Sequence, residues 1–220
     1  MTTPTDPVSE NKIAGRQAAT RVTAVTHGLA TLQELLDHVG IVDWDALIVG
    51  DGSGQNWDMG TGWASVLIDR YSRAAKAFFG GFNVGTVTLG EMMPYLHALL
   101  WYTDKGGPGR QRRQEATRAN RQMQIHIVTD SEIVAKAGNN ACARHSHQML
   151  WAAFDACQNQ GYVLTFHHVG RDVINLNVLV DELSRQARVA LDGTYSSAIK
   201  VLQSRYPGIP DDATIYEFFS

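Results

Sequence analysis

The sequence predicts a mixed α/β domain, and three observations carry that expectation. Short apolar runs suited to buried strands alternate with longer stretches whose apolar residues recur at helical spacing. Three strand-like segments precede the first helix of the main region with only short connections between them, which suggests an antiparallel meander. Later strand candidates are each separated by helical patterns, so the sheet should be mixed and five-stranded, with helices on its flanks.

The elements follow in order. Met1 to Lys12 is rich in Thr, Pro and Ser without apolar periodicity, and residues 1–15 are expected to form a mobile arm. Val25, Leu29, Leu32, Leu35, Leu36 and Val39 fall on a helical stripe ending at Gly40, an added N-terminal helix within residues 16–43. The main domain, residues 44–192, opens with the apolar run Ala46 to Val49, which is expected to break into a turn at Gly50-Asp51-Gly52-Ser53-Gly54. Gly62 to Ile68 and Ala74 to Phe82 are further strands, parted by the polar stretch Asp69 to Arg73. Leu89, Met92, Met93, Leu96, Leu99 and Leu100 then mark a helix with Thr88 as its cap, in which Pro94 should cost stability or introduce a kink.

Between Tyr102 and Gln122 the chain is glycine-rich and then basic, with Arg110, Arg112, Arg113, Arg118 and Arg121. Gln124 to Thr129 has a strand's composition and leads into Asp130-Ser131, residues suited to capping a helix. Leu150, Ala153, Phe154 and Cys157 form a helical stripe, Tyr162 to Val169 a fifth strand, and Leu176 to Leu191 a closing helix. The C-terminal extension, residues 193–220, adds a short amphipathic helix around Ile199 and Leu202 that stops near Pro207-Gly208.

Composition narrows the function classes. With a net charge of −3 and a pI near 6.2, the chain has no global basic footprint, so contact with nucleic acid must come from a local patch. Cys142 and Cys157 form no CxxC pair and read as thiols in a reducing compartment. No apolar stretch approaches the roughly 20 residues of a membrane span, and MTTPTDPVSENK lacks the apolar centre of a signal peptide. A cytoplasmic protein without membrane contact is the expectation.

The acids carry the chemistry. Two-metal phosphodiester hydrolysis needs several hard oxygen ligands converging on one point, with ions about 4 Å apart. Asp51 in VGDGSG, Glu91 in TLGEMMPYLHALL, Asp130 in IVTDSEIV and Asp181 in NVLVDELSRQA lie on the first strand, first main helix, fourth strand and last helix. In order and placement they resemble the ribonuclease H family, over Ala46 to Leu191. The resemblance implies a ribonuclease H-like fold and an endonuclease that hydrolyses the RNA strand of an RNA–DNA hybrid, leaving a 5′-phosphate and a 3′-hydroxyl. It also implies two Mg²⁺ ions, with Mn²⁺ as a possible substitute: Asp51 bridging both, Glu91 and Asp130 completing one site, Asp181 the other.

Many family members carry a mobile histidine before the last helix and an asparagine four residues before the last aspartate. Asn177 matches the asparagine, but Arg171 stands where the histidine is expected, with His167 and His168 slightly earlier in FHHVGRD. His168, Arg171 and Asn177 are thus the candidate auxiliary residues. His126, His145 and His147 read as surface or core-edge residues, because magnesium prefers oxygen. The Arg110 to Arg121 segment could track the phosphates of a nucleic-acid duplex, or could be a solvated loop or helix face.

Each acid also has an ordinary reading: Asp51 as a turn former, Glu91 as a first-turn charge, Asp130 as a helix cap, Asp181 as an exposed helix position. A proofreading exonuclease would carry an acid where Ser53 stands, and a junction resolvase would pair a second acid with Asp181, where Ser184 and Arg185 stand. A junction-resolving or other nuclease of this fold, or a non-catalytic binding or assembly module, remain the alternatives.

Overall fold

The computed structural model describes residues 29–54, 60–72, 75–82, 86–171, 173 and 175–190. The expected N-terminal arm, the start of the added helix and the C-terminal extension lie outside them. Helix α1 (Leu29–Val39) precedes a meander of β1 (Ala46–Ser53), β2 (Thr61–Asp69) and β3 (Ala75–Phe82). There follow α2 (Val87–Thr103), α3 (Pro108–Arg118), β4 (Met123–Thr129), α4 (Glu132–Gly138), α5 (Gln148–Asn159), β5 (Tyr162–His168) and α6 (Asn175–Ala190).

The five strands form one mixed sheet in the order β3-β2-β1-β4-β5. β1 pairs antiparallel with β2 and parallel with β4, and β4 pairs parallel with β5. Alternation along the strands separates two cores. Ile48, Leu67, Phe78 and Ile127 pack with Met92, Leu96, Leu99 and Phe154 under α2 and α5. Leu47, Val49, Val66 and Val128 pack with Leu35, Leu36, Val180 and Leu183 under α1 and α6.

The glycines around Asp51 do not end β1. The strand runs on through Asp51 to Ser53, pairing with Ala64, Trp63 and Gly62 of β2. They serve close packing instead: a Cβ on Gly52 would lie 2.4 Å from the Gly90 carbonyl carbon, and one on Gly50 would lie 2.7 Å from the Tyr95 ring. α2 is capped by Thr86, not Thr88, with the Thr86 Oγ1 accepting from Leu89 N at 3.0 Å. Pro94 lies within this continuous helix. It has no N–H for the Gly90 carbonyl, and that carbonyl lies against β1, its oxygen 2.6 Å from a Cβ built on Gly52. The basic segment after Tyr102 forms α3, with Pro108 at the helix start, where its missing N–H costs nothing. Among the described residues, no helix is long and apolar enough to cross a membrane.

Candidate active site

Register brings the acids together. Val49 pairs with Val128 in the parallel β1–β4 ladder, so Asp51 and Asp130, two residues further on, leave adjacent strands on the same face, about 5 Å apart at the backbone. That face is covered by α6, which carries Asp181. Glu91 reaches the same end of the sheet from the start of α2, whose backbone packs directly on Gly52.

Asp51 is buried, 5% exposed, and the Gly52 N–H donates to its Oδ1 at 2.7 Å. Burial, the charges of Asp130 and Asp181 and a hydrogen bond shared with Asp181 push its carboxyl up to about 8. Two carboxyls in hydrogen-bond contact need a proton between them, so Asp51 is protonated at neutral pH when no cation is near. Burial and the neighbouring Asp130 also raise the Glu91 carboxyl, although Ser131 Oγ donates to its Oε2 at 2.7 Å. Asp130 Oδ2 accepts from Arg171 Nε at 3.1 Å and meets Arg171 Nη2 at 3.0 Å. Asp181 Oδ2 meets Arg185 Nη2 at 2.8 Å, one helical turn on.

Asp130 is no helix cap. α4 is preceded by Ser131, without a side-chain capping bond, while the Asp130 carboxylate turns to Arg171. His168 is exposed, and its Nε2 lies 3.2 Å from the Asp130 backbone oxygen. Asn177 is buried at the start of α6, with neither amide atom paired among the described residues. Sequence reasoning missed Tyr95, which is fully buried and donates from its hydroxyl to Gly50 O at 2.6 Å. Burial, with the charges of Asp51, Asp130 and Glu91 around it, holds that phenol well above its ordinary range. Its place one helical turn after Glu91 was the available signal.

The arginine segment lies elsewhere. Arg121 makes two 2.8 Å bonds to Asp45, which precedes β1, whereas Asp51 lies six residues along the strand, about 20 Å away. The Asp45 carboxylate also accepts from Gln124 N at 2.8 Å, and these donors hold it below its usual range against the opposing effect of burial. Arg112 pairs with Glu115 at 3.3 Å and lies over the Tyr71 ring, and Arg113 donates to the Gln160 carbonyl. Arg112, Arg113 and Arg121 therefore brace the pole of the sheet opposite the carboxylates, and the expected phosphate track with Arg110 and Arg118 is not on the carboxylate side. The reason is topological: α3 falls between α2, which starts at the carboxylates, and β4, which returns to them. Trp63 and Trp151 are in the core.

Among the described residues, no group of three or more His, Cys, Asp or Glu side chains is arranged as a metal centre. Glu91 turns to Ser131, Asp130 to Arg171 and Asp181 to Arg185, so each outer acid has a local partner. The donor set nevertheless fits magnesium: it is all hard oxygen, and its innermost carboxyl keeps a proton for want of positive charge.

No family model and no curated protein matches the chain. Solved structures do. The N-terminal ribonuclease H domain of rv2228c from Mycobacterium tuberculosis, fused to maltose-binding protein, superposes with a TM-score of 0.50 at 15% identity, covering 67% of this chain and 96% of that one. LC11-RNase H1, isolated from compost by a metagenomic approach, superposes with a TM-score of 0.51 at 16% identity, covering 66% and 96%. The same enzyme in complex with an RNA/DNA hybrid gives 0.50 at 16% identity. The chain therefore has the ribonuclease H-like fold, a mixed five-stranded sheet flanked by helices.

Proposed function

We propose that the protein is a metal-dependent endonuclease that hydrolyses the RNA strand of RNA–DNA hybrids. One observation carries the reading: Asp51 is buried against Asp130 and Asp181 at one end of the sheet, and its carboxyl is pushed up to about 8 by them and by burial. A structural core gains nothing from gathering like charges, whereas a site for divalent cations requires it. That a hybrid lies on LC11-RNase H1, a protein of the same fold, supports the substrate class.

In this reading Asp51, Glu91, Asp130 and Asp181 hold two Mg²⁺ ions, which supply an activated water and charge stabilisation for the leaving oxygen. Asp51 gives up its proton when the cations bind, because its charge is then compensated. Ser131 and Tyr95 fix the acids from beneath, through Glu91 Oε2 and the Gly50 carbonyl of β1. Arg171, 64% exposed at its side chain, is free to exchange Asp130 for a substrate phosphate. His168 stands beside Asp130 as the neighbouring group available to assist. A cytoplasmic location is part of the proposal.

The pairing of Asp130 with Arg171 and of Asp181 with Arg185 favours one rival, an inert binding module in which arginines have replaced metal. The deciding experiment is cleavage of labelled RNA–DNA hybrid, RNA duplex and DNA duplex with Mg²⁺, Mn²⁺ or chelator. The proposal expects metal-dependent cleavage of the hybrid's RNA strand. Hybrid binding without cleavage under any metal would establish the module.

A further inference from the structure

On the sheet face that carries the carboxylates, but four residues back along β4, about 13 Å from Asp130, two imidazoles face each other. His126 of β4 and His167 of β5 point to the same side of adjacent parallel strands, since Val128 pairs with His167 and His126 with Thr165. Their rings stack with centroids 5.1 Å apart, and His126 Nδ1 lies 2.8 Å from His167 Nε2. His126 Nε2 lies 2.9 Å from the Asp43 backbone oxygen.

That carbonyl can only accept, so His126 carries its proton on Nε2 and presents a bare lone pair at Nδ1. Metal-binding histidines are held the same way, with the far N–H anchored to a carbonyl so that the near nitrogen is aimed and made more basic. In the metal-free protein, His167 Nε2–H donates to that lone pair. His167 is half-buried and can turn its tautomer, which leaves two nitrogens facing one point. Burial lowers the His126 imidazole, and burial with the facing His126 ring pushes His167 down to about 4, so both are neutral, the ligating form, at pH 7.

We infer that His126 Nδ1 and His167 Nε2 form a binding site for a borderline transition-metal ion of the Zn²⁺, Ni²⁺ or Cu²⁺ class, with water completing the coordination. The inference does not rest on the nuclease reading, because imidazole nitrogen suits these ions and magnesium does not take it. Metal–nitrogen bonds of about 2.0–2.1 Å in tetrahedral geometry need the nitrogens about 3.3 Å apart, so the pair opens by about 0.5 Å. As the ion enters, the His167 proton moves from Nε2 to Nδ1 through solvent, and no net proton is released at neutral pH. A bound ion would tie β4 to β5 and, through Asp43, to the segment leading into β1.

The test is calorimetric titration of the full chain with Ni²⁺, alongside electron paramagnetic resonance of the Cu²⁺ form. The expected result, with excess Mg²⁺ present to occupy the carboxylates, is a tight site whose affinity is unchanged in Asp51→Asn and falls at least tenfold in His167→Gln, and a Cu²⁺ spectrum showing coupling to two imidazole nitrogens. Metal-free melting of His167→Gln checks its fold, and the wild-type Cu²⁺ spectrum decides the matter if that variant is unfolded. Unchanged affinity in folded His167→Gln, loss of the site in Asp51→Asn, absence of tight binding, or a spectrum without two-nitrogen coupling would overturn the inference.

Discussion

Arg171 brings both Nε, at 3.1 Å, and Nη2, at 3.0 Å, to a single oxygen of Asp130. The guanidinium therefore occupies part of the space a cation would take beside that carboxylate, while its 64% exposed side chain is free to leave. Arg171→Ala is expected to destabilise the metal-free protein by no more than about 1 kcal/mol, because the arginine of this pair is largely exposed and screened by solvent. It should also tighten magnesium binding, since no internal cation has to be displaced. Melting curves across a magnesium titration measure both effects. Weaker magnesium stabilisation in the variant would show that Arg171 does not compete with the metal.

Asp51 gives a pH dependence of unusual sign. Its folded carboxyl is raised to about 8 from an ordinary 3.8, so between those values the native state holds a proton that the unfolded chain has lost. Stability from this group is complete below about pH 4 and is lost as pH rises through 8. Asp51→Asn keeps the volume and removes the titration, so its metal-free stability should be flatter with pH and should exceed wild type at pH 8, while cleavage is abolished. Urea unfolding at pH 5 and pH 8 in chelator measures this. A wild type that gains stability over that interval, relative to Asp51→Asn, would mean that the carboxylates are not in mutual contact.

Much of this was legible in the chain. Five strands and the helices between them follow from apolar period, because each element buries one continuous face. The acids could be placed because Asp51 and Asp130 follow apolar runs that had to be central strands. The glycines beside Asp51 misled, since a Gly-rich stretch signals a turn or a close approach equally, and only the partners Gly90 and Tyr95 tell which. The arginines were ambiguous for a related reason. Their spacing shows a basic segment, but whether it lies at the carboxylate pole or the far one depends on the path of the chain between α2 and β4.

The far pole yields its own expectation. Asp45 is 2% exposed at its side chain, and Arg121 supplies its counter-charge through two bonds. Arg121→Ala leaves a buried carboxylate with fewer donors and should cost about 3 kcal/mol. Hybrid binding by the surviving folded protein should keep its salt dependence. A reduced salt slope with unchanged stability would return Arg121 to the phosphate track.

Magnesium is the last variable, because it separates an enzyme from a module without requiring a substrate. An ion that binds only the native state stabilises it by about 1.4 kcal/mol at ten times its Kd, which raises Tm by a few degrees in a domain of this size. Wild type should show that rise, and Asp130→Asn should lose most of it. Without metal, Asp130→Asn removes a charge that faces Asp51 and Glu91 and leaves only the exposed Arg171 unpartnered, so its stability should match or slightly exceed wild type. Arg185→Lys keeps the charge near Asp181 and should leave the magnesium response in place. If wild-type Tm does not move with magnesium and Asp130→Asn merely destabilises, the arginine pairs are the final partners of these acids. The ribonuclease H-like fold would then serve binding without cleavage.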